Sequence, residues 1–172
     1  MNIFILDEEP EIAAQMQSDK HVVKMVLETG QMLSTAHHLN KTRMSDIHAD
    51  LYKPTHANHP CTQWVAATSG NYKWTYRHFR ALNAEYKHRF YFDHKTWKQL
   101  RLITQTLPAS IVRAPMTAFA QAMPDEYKVD DDAVVAYRHY YAVEKRDLLN
   151  YRKRPMPQWL EDLINGGVAV PA

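Results

Sequence analysis

The chain has 172 residues, of which 45% are apolar and 11% aromatic, a size and composition that predict one compact domain over residues 1–172. The formal net charge at pH 7 is only +2, so charge neither requires nor excludes a polyanionic partner. The apolar run at residues 3–6 is too short for a signal peptide or membrane span, and the single cysteine excludes an internal disulfide framework, so we expect a cytoplasmic protein that does not bind membranes.

The apolar pattern predicts an all-α fold of about four to five helices after a short extended N-terminus. A first helix is expected from Pro10 to about Leu39, opened by neighbouring acidic residues and containing Gly30 as a close helix contact or a kink. Residues 40–55 are polar and predict a loop.

A second long helix is expected to be capped by Asn58, to hold Pro60 in its first turn and to end near Arg89. A shorter helix over residues 96–107 is stopped by Pro108.

The stretch at residues 107–132 contains three prolines and is long for a plain connection, which favours a functional loop. Aspartates at 130–132 can cap a helix that runs through Tyr151. The tail predicts a basic turn followed by one short helix.

A polar stripe stands on the first predicted helix. At about 100° per residue, its members share one narrow sector, while valines and leucines occupy much of the remaining surface. The stripe consists of His21, Lys24, Glu28, Gln31 and Thr35. It either lines a cleft or meets solvent, where a Lys24–Glu28 pair would contribute only a few tenths of a kcal/mol.

A second polar cluster lies at residues 52–61. His56, His59 and Cys61 could be metal ligands, but a zinc site needs three or four convergent donors and this spacing matches no strong template. We therefore assign no metal. The residues that precede the helix N-terminus suit a bound phosphate instead. They are Lys53, Thr55, His56, Asn58 and His59.

Two further segments carry candidate contacts. Gln121 and Asp125 stand in a proline-bounded loop that suits substrate binding, although a surface turn that seats core residues explains it equally well. Arg138 belongs to a region in which basic and aromatic residues alternate, at residues 137–141 and 152–159. Such alternation is typical of nucleic-acid binding, but tyrosine-rich helices also commonly belong to the core.

Taken in order, these motifs resemble the pyrimidine-dimer DNA glycosylases with abasic-site lyase activity, the phage endonuclease V type and its bacterial relatives. The start MNIF is similar to their short apolar N-terminus, and His21 stands seven residues before Glu28, as on their first long helix. The segment NHPCTQW looks like their Asn-His-Pro motif with a tryptophan shortly after. The similarity continues through ALNAEYKHRFYFDH and covers about the first hundred residues.

The resemblance implies an N-terminal amine nucleophile that attacks the sugar C1′ and forms an imine, without a cofactor. Asn2 is bulky, so we expect Met1 to remain and its amine to serve. Glu28 would stabilise the cationic sugar and move protons, and His21 would hold that carboxylate or a phosphate.

The chain departs from the family pattern at the cations near this glutamate. The arginine that commonly precedes the glutamate is Leu27 here, and the next basic position is Gln31. Lys20 and Lys24 are candidates to compensate, or to form the imine themselves.

Our leading hypothesis is therefore an enzyme that removes a damaged or modified pyrimidine from DNA. A second hypothesis is an enzyme of the same scaffold that acts on a free nucleotide or nucleotide-sugar, which the near-neutral charge favours. A third is a non-enzymatic, histidine-rich module that binds nucleic acid or metal. A helical domain whose polar stripe simply meets water is the remaining alternative.

Overall fold

The computed structural model describes residues 1–42 and 51–166, so part of the loop predicted at residues 40–55 lies outside the described residues. The described part is all-α, as predicted, and none of its helices is long and apolar enough to cross a membrane. The helices are α1 (Pro10–Gln15), α2 (Asp19–Leu39), α3 (Pro60–Ala67), α4 (Ser69–Phe90), α5 (Lys95–Leu100), α6 (Ala133–Glu144) and α7 (Gln158–Asn165). Five of these have eight residues or more, in agreement with the four to five predicted.

The prediction of one helix from Pro10 to Leu39 is wrong, because the chain breaks between α1 and α2. The backbone N–H of Ser18 donates to the Tyr141 hydroxyl at 2.8 Å, and that of Asp19 donates to the Asn150 carbonyl at 2.8 Å. These tertiary bonds replace the helical ladder at the break.

The second long helix is also divided, at Thr68. The Thr68 hydroxyl accepts from Asn71 N–H at 3.1 Å and caps α4, while the segment at residues 112–114 accepts from the N–H groups of Ser69 and Gly70. The cap of α3 is His59 rather than Asn58, since His59 Nδ1 accepts from the Cys61 N–H at 3.2 Å.

The later elements are shorter than the sequence pattern predicts. Helix α5 ends at Leu100 instead of residue 107, and α6 ends at Glu144 instead of Tyr151. The long loop is confirmed, with only a short 3-10 helix at Asp125–Tyr127. Asp132 caps α6 by accepting from Val135 N–H at 2.9 Å, and the short C-terminal helix is confirmed as α7.

The N-terminal segment is part of the core. Ile3, Ile5 and Leu6 are at most 2% exposed, and they lie among the helices although the segment itself forms no strand. Phe4 has a positive φ of 54°, so the chain turns sharply here. The first two residues are consequently held inside the molecule instead of extending into solvent.

One buried arginine joins several elements. The Arg89 side chain is fully buried and donates to Glu85 Oε1 at 2.7 Å and to Asp19 Oδ1 at 2.9 Å. It also donates to the carbonyls of Gln15 and Gln17. A buried charge is tolerated only with such full pairing, so this network fixes the start of α2 against α4.

Candidate active site

The site is built around the carboxylate of Glu28, on the third turn of α2. Its Oε2 accepts the backbone N–H of Asn2 at 2.8 Å and lies 3.7 Å from the α-amine of Met1. Its Oε1 lies 3.4 Å from Lys24 Nζ. The Glu28 side chain is 10% exposed, so one largely buried carboxylate meets two cationic groups.

Side-chain contacts hold the N-terminus in this position. The Asn2 amide oxygen accepts from the N–H of Ile3 at 2.7 Å, and its Nδ2 donates to the Ala122 carbonyl at 2.9 Å. The Met1 side chain is only 1% exposed, and its sulfur accepts from the Thr62 hydroxyl at 3.3 Å. Residue 1 as a whole is half-buried, so the methionine side chain is anchored while its backbone remains accessible.

These groups face a cavity of about 220 Å³. Three parts of the chain contribute to its wall: the N-terminus, one face of α2, and the end of α6 with the turn that follows. The lining residues are Met1, Asn2, Phe4, His21, Lys24, Met25, Glu28, Tyr140, Lys145 and Leu148. The structure thus brings together all five residues that the sequence nominated as catalytic: Glu28, Met1, Asn2, His21 and Lys24.

His21 is a neutral wall of this cavity. Burial lowers its pKa to about 4, and the positive charges of Lys145 and Lys24 act in the same direction. Its Nδ1 lies 2.7 Å from the Tyr141 hydroxyl oxygen, and its ring packs against Phe4 with centroids 4.6 Å apart. At neutral pH the imidazole is uncharged and is positioned by Tyr141.

The loop before α3 lies against α2 beyond Glu28. Thr55 N–H donates to the Thr35 hydroxyl at 3.1 Å, and the Thr55 hydroxyl lies 2.8 Å from His56 Nδ1. Partial burial lowers the pKa of His59, and the N-terminal ammonium lowers it further. His59 is therefore close enough to the amine for the positive charge of the amine to affect the pKa of the imidazole.

None of the predicted binding residues of this region lines the cavity. Lys53 and Asn58 are exposed in the loop. On α2, Lys20 directly precedes the cavity residue His21, and Gln31 stands three residues after Glu28. Their binding roles stay predictions.

Three further predicted contacts lie outside the cavity. Gln121 exchanges two hydrogen bonds with the backbone of Val129, and Asp125 pairs with Lys128 at 2.6 Å. Arg138 Nε donates to the Leu6 carbonyl at 2.9 Å. These side chains make contacts within the protein, although Asn2 does touch the same loop through Ala122.

The possible metal ligands do not converge. Cys61 is buried with its sulfur near Asn2 Oδ1 and the Tyr137 hydroxyl, and burial raises the pKa of its thiol to about 11. His59 uses Nδ1 in the helix cap. Over residues 1–42 and 51–166, no group of three or more His, Cys, Asp or Glu side chains is placed to hold a metal ion.

The sequence reasoning did not select Lys145 or Tyr140 as site residues. The Lys145 ammonium lies 4.7 Å from the centre of the Tyr140 ring, and both line the cavity opposite α2. Lys145 stands seven residues after Arg138, so helical spacing places the two on one stripe. Helical spacing alone does not predict which of these two residues faces α2.

The fold and the amine–carboxylate cavity agree with an enzyme of the DNA glycosylase class. A family model described as pyrimidine dimer DNA glycosylase matches residues 1–99, which is more than half of the chain. The chain therefore belongs to the pyrimidine dimer DNA glycosylase family, and the resemblance is confirmed. Membership implies a glycosylase-like activity with DNA as substrate. No curated protein and no solved structure matches the chain.

The matched region ends before α6. It includes Met1, Asn2, His21, Lys24 and Glu28, but excludes Tyr140 and Lys145. One wall of the cavity is therefore supplied by the part of the chain that the family model does not match.

Proposed function

We propose that the protein is a DNA glycosylase and abasic-site lyase that acts on a damaged or modified pyrimidine. The α-amine of Met1 is the nucleophile, and Glu28 is the catalytic carboxylate. The observation that carries the proposal is the contact of Glu28 Oε2 with the first two backbone nitrogens, at 3.7 and 2.8 Å, inside one cavity.

The chemistry follows from these two groups. The amine attacks C1′ of the sugar, the bond from C1′ to the base breaks, and the base leaves with that electron pair and takes up a proton. Sugar ring opening gives a protonated imine between C1′ and the amine. A carboxylate stabilises the positive charge that develops at C1′.

Glu28 then serves as the base for β-elimination. It removes a proton from C2′, the C3′–O bond breaks, and the 3′ phosphate departs with those electrons. Hydrolysis of the imine by water regenerates the free amine. Because His21 is neutral, it adds no positive charge of its own beside the cationic sugar.

The dimensions of the cavity favour a polymeric substrate over a free nucleotide. Pockets that enclose a drug-sized ligand have volumes of about 300–1,000 Å³, whereas this cavity has about 220 Å³. It therefore suits a sugar whose flanking phosphates remain outside. Lys24, with a side chain 65% exposed, is placed to meet such a phosphate.

Borohydride trapping tests this proposal, because reduction converts the imine to a stable covalent adduct. The wild-type protein should trap duplex DNA that contains an abasic site. Glu28→Gln, which keeps an oxygen for the Asn2 N–H, should trap about 10²- to 10⁴-fold more slowly. Glu161→Gln, an exposed change on α7, is the matched control and should trap normally.

Two results would contradict the assignment. The lyase is excluded if the wild type yields no adduct under conditions in which a known lyase traps. The role of Glu28 is excluded if Glu28→Gln, shown by circular dichroism to be folded, traps at the wild-type rate. Mass mapping of the adduct peptide identifies the nucleophile, since modification at Lys24 instead of residue 1 would replace the amine assignment.

A further inference from the structure

Two aromatic side chains stand out on the surface just after α4. Tyr91 is 77% exposed and Phe92 is 58% exposed, and no other aromatic side chain in the described part of the chain is as exposed. Exposing two adjacent large rings to water is unfavourable. Core packing therefore does not account for them.

The backbone at this surface is also strained. Tyr91 occupies the residue after the helix with φ of +76°, and its N–H donates to the Lys87 carbonyl at 2.8 Å. Glycine is the usual residue in this left-handed position, because a Cβ disfavours it. Lys153, which lies against Tyr91, has φ of +60°. Strain that coincides with unusual exposure points to a functional surface.

Cations accompany the exposed rings. Lys153 Nζ lies 3.4 Å from the centre of the Tyr91 ring and donates to the His88 carbonyl at 2.8 Å. The Arg152 guanidinium lies 5.4 Å from the centre of the Phe90 ring. Within residues 1–42 and 51–166, neither cation has a carboxylate partner.

The nearby acids are already neutralised. Asp93 pairs with Lys87 at 3.5 Å, and Glu85 pairs with both Arg89 and Arg154. The surface formed by Tyr91, Phe92, Arg152 and Lys153, here called the aromatic–basic surface, therefore offers largely exposed rings beside positive charge that no carboxylate of the described residues neutralises. This combination is complementary to a nucleic-acid strand.

The aromatic–basic surface is connected to the start of α2, the helix that carries Glu28. The Arg152 N–H donates to Asp19 Oδ1 at 3.0 Å, and Asp19 opens α2. Lys20 follows at once and Lys24 one turn later, before Glu28. Nine residues of helix at 1.5 Å per residue span about 14 Å, which corresponds to about four nucleotide steps of 3.4 Å.

We propose that the aromatic–basic surface binds the substrate strand four or more nucleotides from the reacting sugar. An unpaired base stacks on Tyr91 and Phe92, while Arg152 and Lys153 contact phosphates. The inference rests on the proposed function only in taking DNA as the ligand. It adds a second contact that acts on binding and not on the chemistry in the cavity.

Fluorescence anisotropy with single-stranded DNA tests this contact. Each oligonucleotide carries one tetrahydrofuran abasic analogue, flanked on both sides by either two or ten nucleotides. Tyr91→Gly and Phe92→Ser should each weaken binding of the long oligonucleotide by about 5- to 100-fold, the usual effect of losing one base–aromatic stack. Binding of the short one should be unchanged, because it ends before the surface.

Two controls separate binding from folding. Leu102→Ser removes an equally exposed apolar side chain, 66% exposed, beyond the end of α5 and should not affect binding. Tyr91→Gly relieves the left-handed strain, so its melting temperature should stay the same or rise while its affinity falls. A purely structural role for Tyr91 predicts the opposite shift in melting temperature.

The inference is overturned if Tyr91→Gly binds the long oligonucleotide like the wild type, or if it loses the same factor on both lengths. It is independent of the lyase assignment. A length-dependent loss of affinity in a protein that never traps would support the surface and remove the lyase. Normal trapping with no length-dependent loss of affinity would support the lyase and would exclude DNA binding at the aromatic–basic surface.

Discussion

Lys145 provides a cation at the cavity from outside the family-matched region. The arginine expected before the glutamate is Leu27 in this chain, and its exposed side chain carries no charge. Lys145 and Lys24 both help to lower the pKa of His21, so both ammonium groups lie near the cavity. We infer that Lys145 replaces the missing cation as a phosphate contact.

Substituting Lys145 tests this role. Lys145→Gln should weaken binding of abasic DNA by about tenfold and reduce the salt dependence of log Kd by about one unit. Trapping at saturating DNA should be little affected, because a phosphate contact acts on binding. Lys73→Gln, an exposed change on the distant face of α4, is the control and should leave both quantities unchanged. A slower trapping step with unchanged Kd would place Lys145 in the chemistry instead.

The sequence predicts the positions of some cavity residues but not of others. Helical spacing on α2 brings His21, Lys24 and Glu28 onto one face, so that part of the cavity could be predicted. The position of Lys145 could not, because this residue lines the same cavity from 117 residues beyond Glu28 in the sequence. It depends on how α6 docks, and no local pattern encodes that docking.

Among the elements, the position of each helix could be predicted better than its breaks. Periodicity shows that residues 10–39 and 60–89 favour helix. The breaks at Ser18 and Thr68 arise from hydrogen bonds to Tyr141 and to the segment at residues 112–114. These partners are distant in sequence, so propensity within the helices gives no sign of them.

The packing of α2 on α5 yields a testable prediction at Gly30, which is a close contact and not a kink. A Cβ there would lie 2.5 Å from Thr96 Cγ2. Gly30→Ala gains about 1 kcal/mol of helix propensity, but overpacking costs about 1–3 kcal/mol. We therefore expect a net loss of unfolding free energy of about 1 kcal/mol in urea denaturation.

Adding Thr96→Ser should restore this loss. Serine lacks Cγ2 but keeps the oxygen that accepts from the Tyr52 hydroxyl at 3.1 Å. Thr96→Ser alone is the reference for the double variant. A Gly30→Ala protein that is about 1 kcal/mol more stable than the wild type would show that the helices are not in close contact.

At the scale of the whole molecule, three buried histidines make stability depend on pH. Burial is the main cause that lowers the pKa values of His21, His37 and His78 from 6.5 to about 4. Below pH 6.5 the unfolded chain therefore binds protons that the folded protein does not. Above pH 6.5 the three histidines do not reduce the unfolding free energy. As the pH falls from 6.5 towards 4, the unfolding free energy decreases.

A lowering of the pKa from 6.5 to about 4 corresponds to about 3 kcal/mol for each histidine once the pH lies below both values. Urea midpoints measured between pH 7 and 4.5 should therefore fall steeply. His78→Asn, which removes a ring whose Nδ1 lies 2.9 Å from the Pro10 carbonyl, should be less stable at pH 7 but give a shallower slope. A wild-type midpoint that stays constant from pH 7 to 5 would contradict the prediction.

The buried side chain of Met1 has a practical consequence for recombinant protein. An affinity tag fused before Met1 would convert its α-amine to an amide. The linking chain would also have to pass out through the opening of the cavity. Under the proposed mechanism, such material would fold with its nucleophile blocked and would be inactive in every trapping assay. Purification by a removable N-terminal fusion that restores residue 1, or by a tag at the opposite terminus, keeps the amine free.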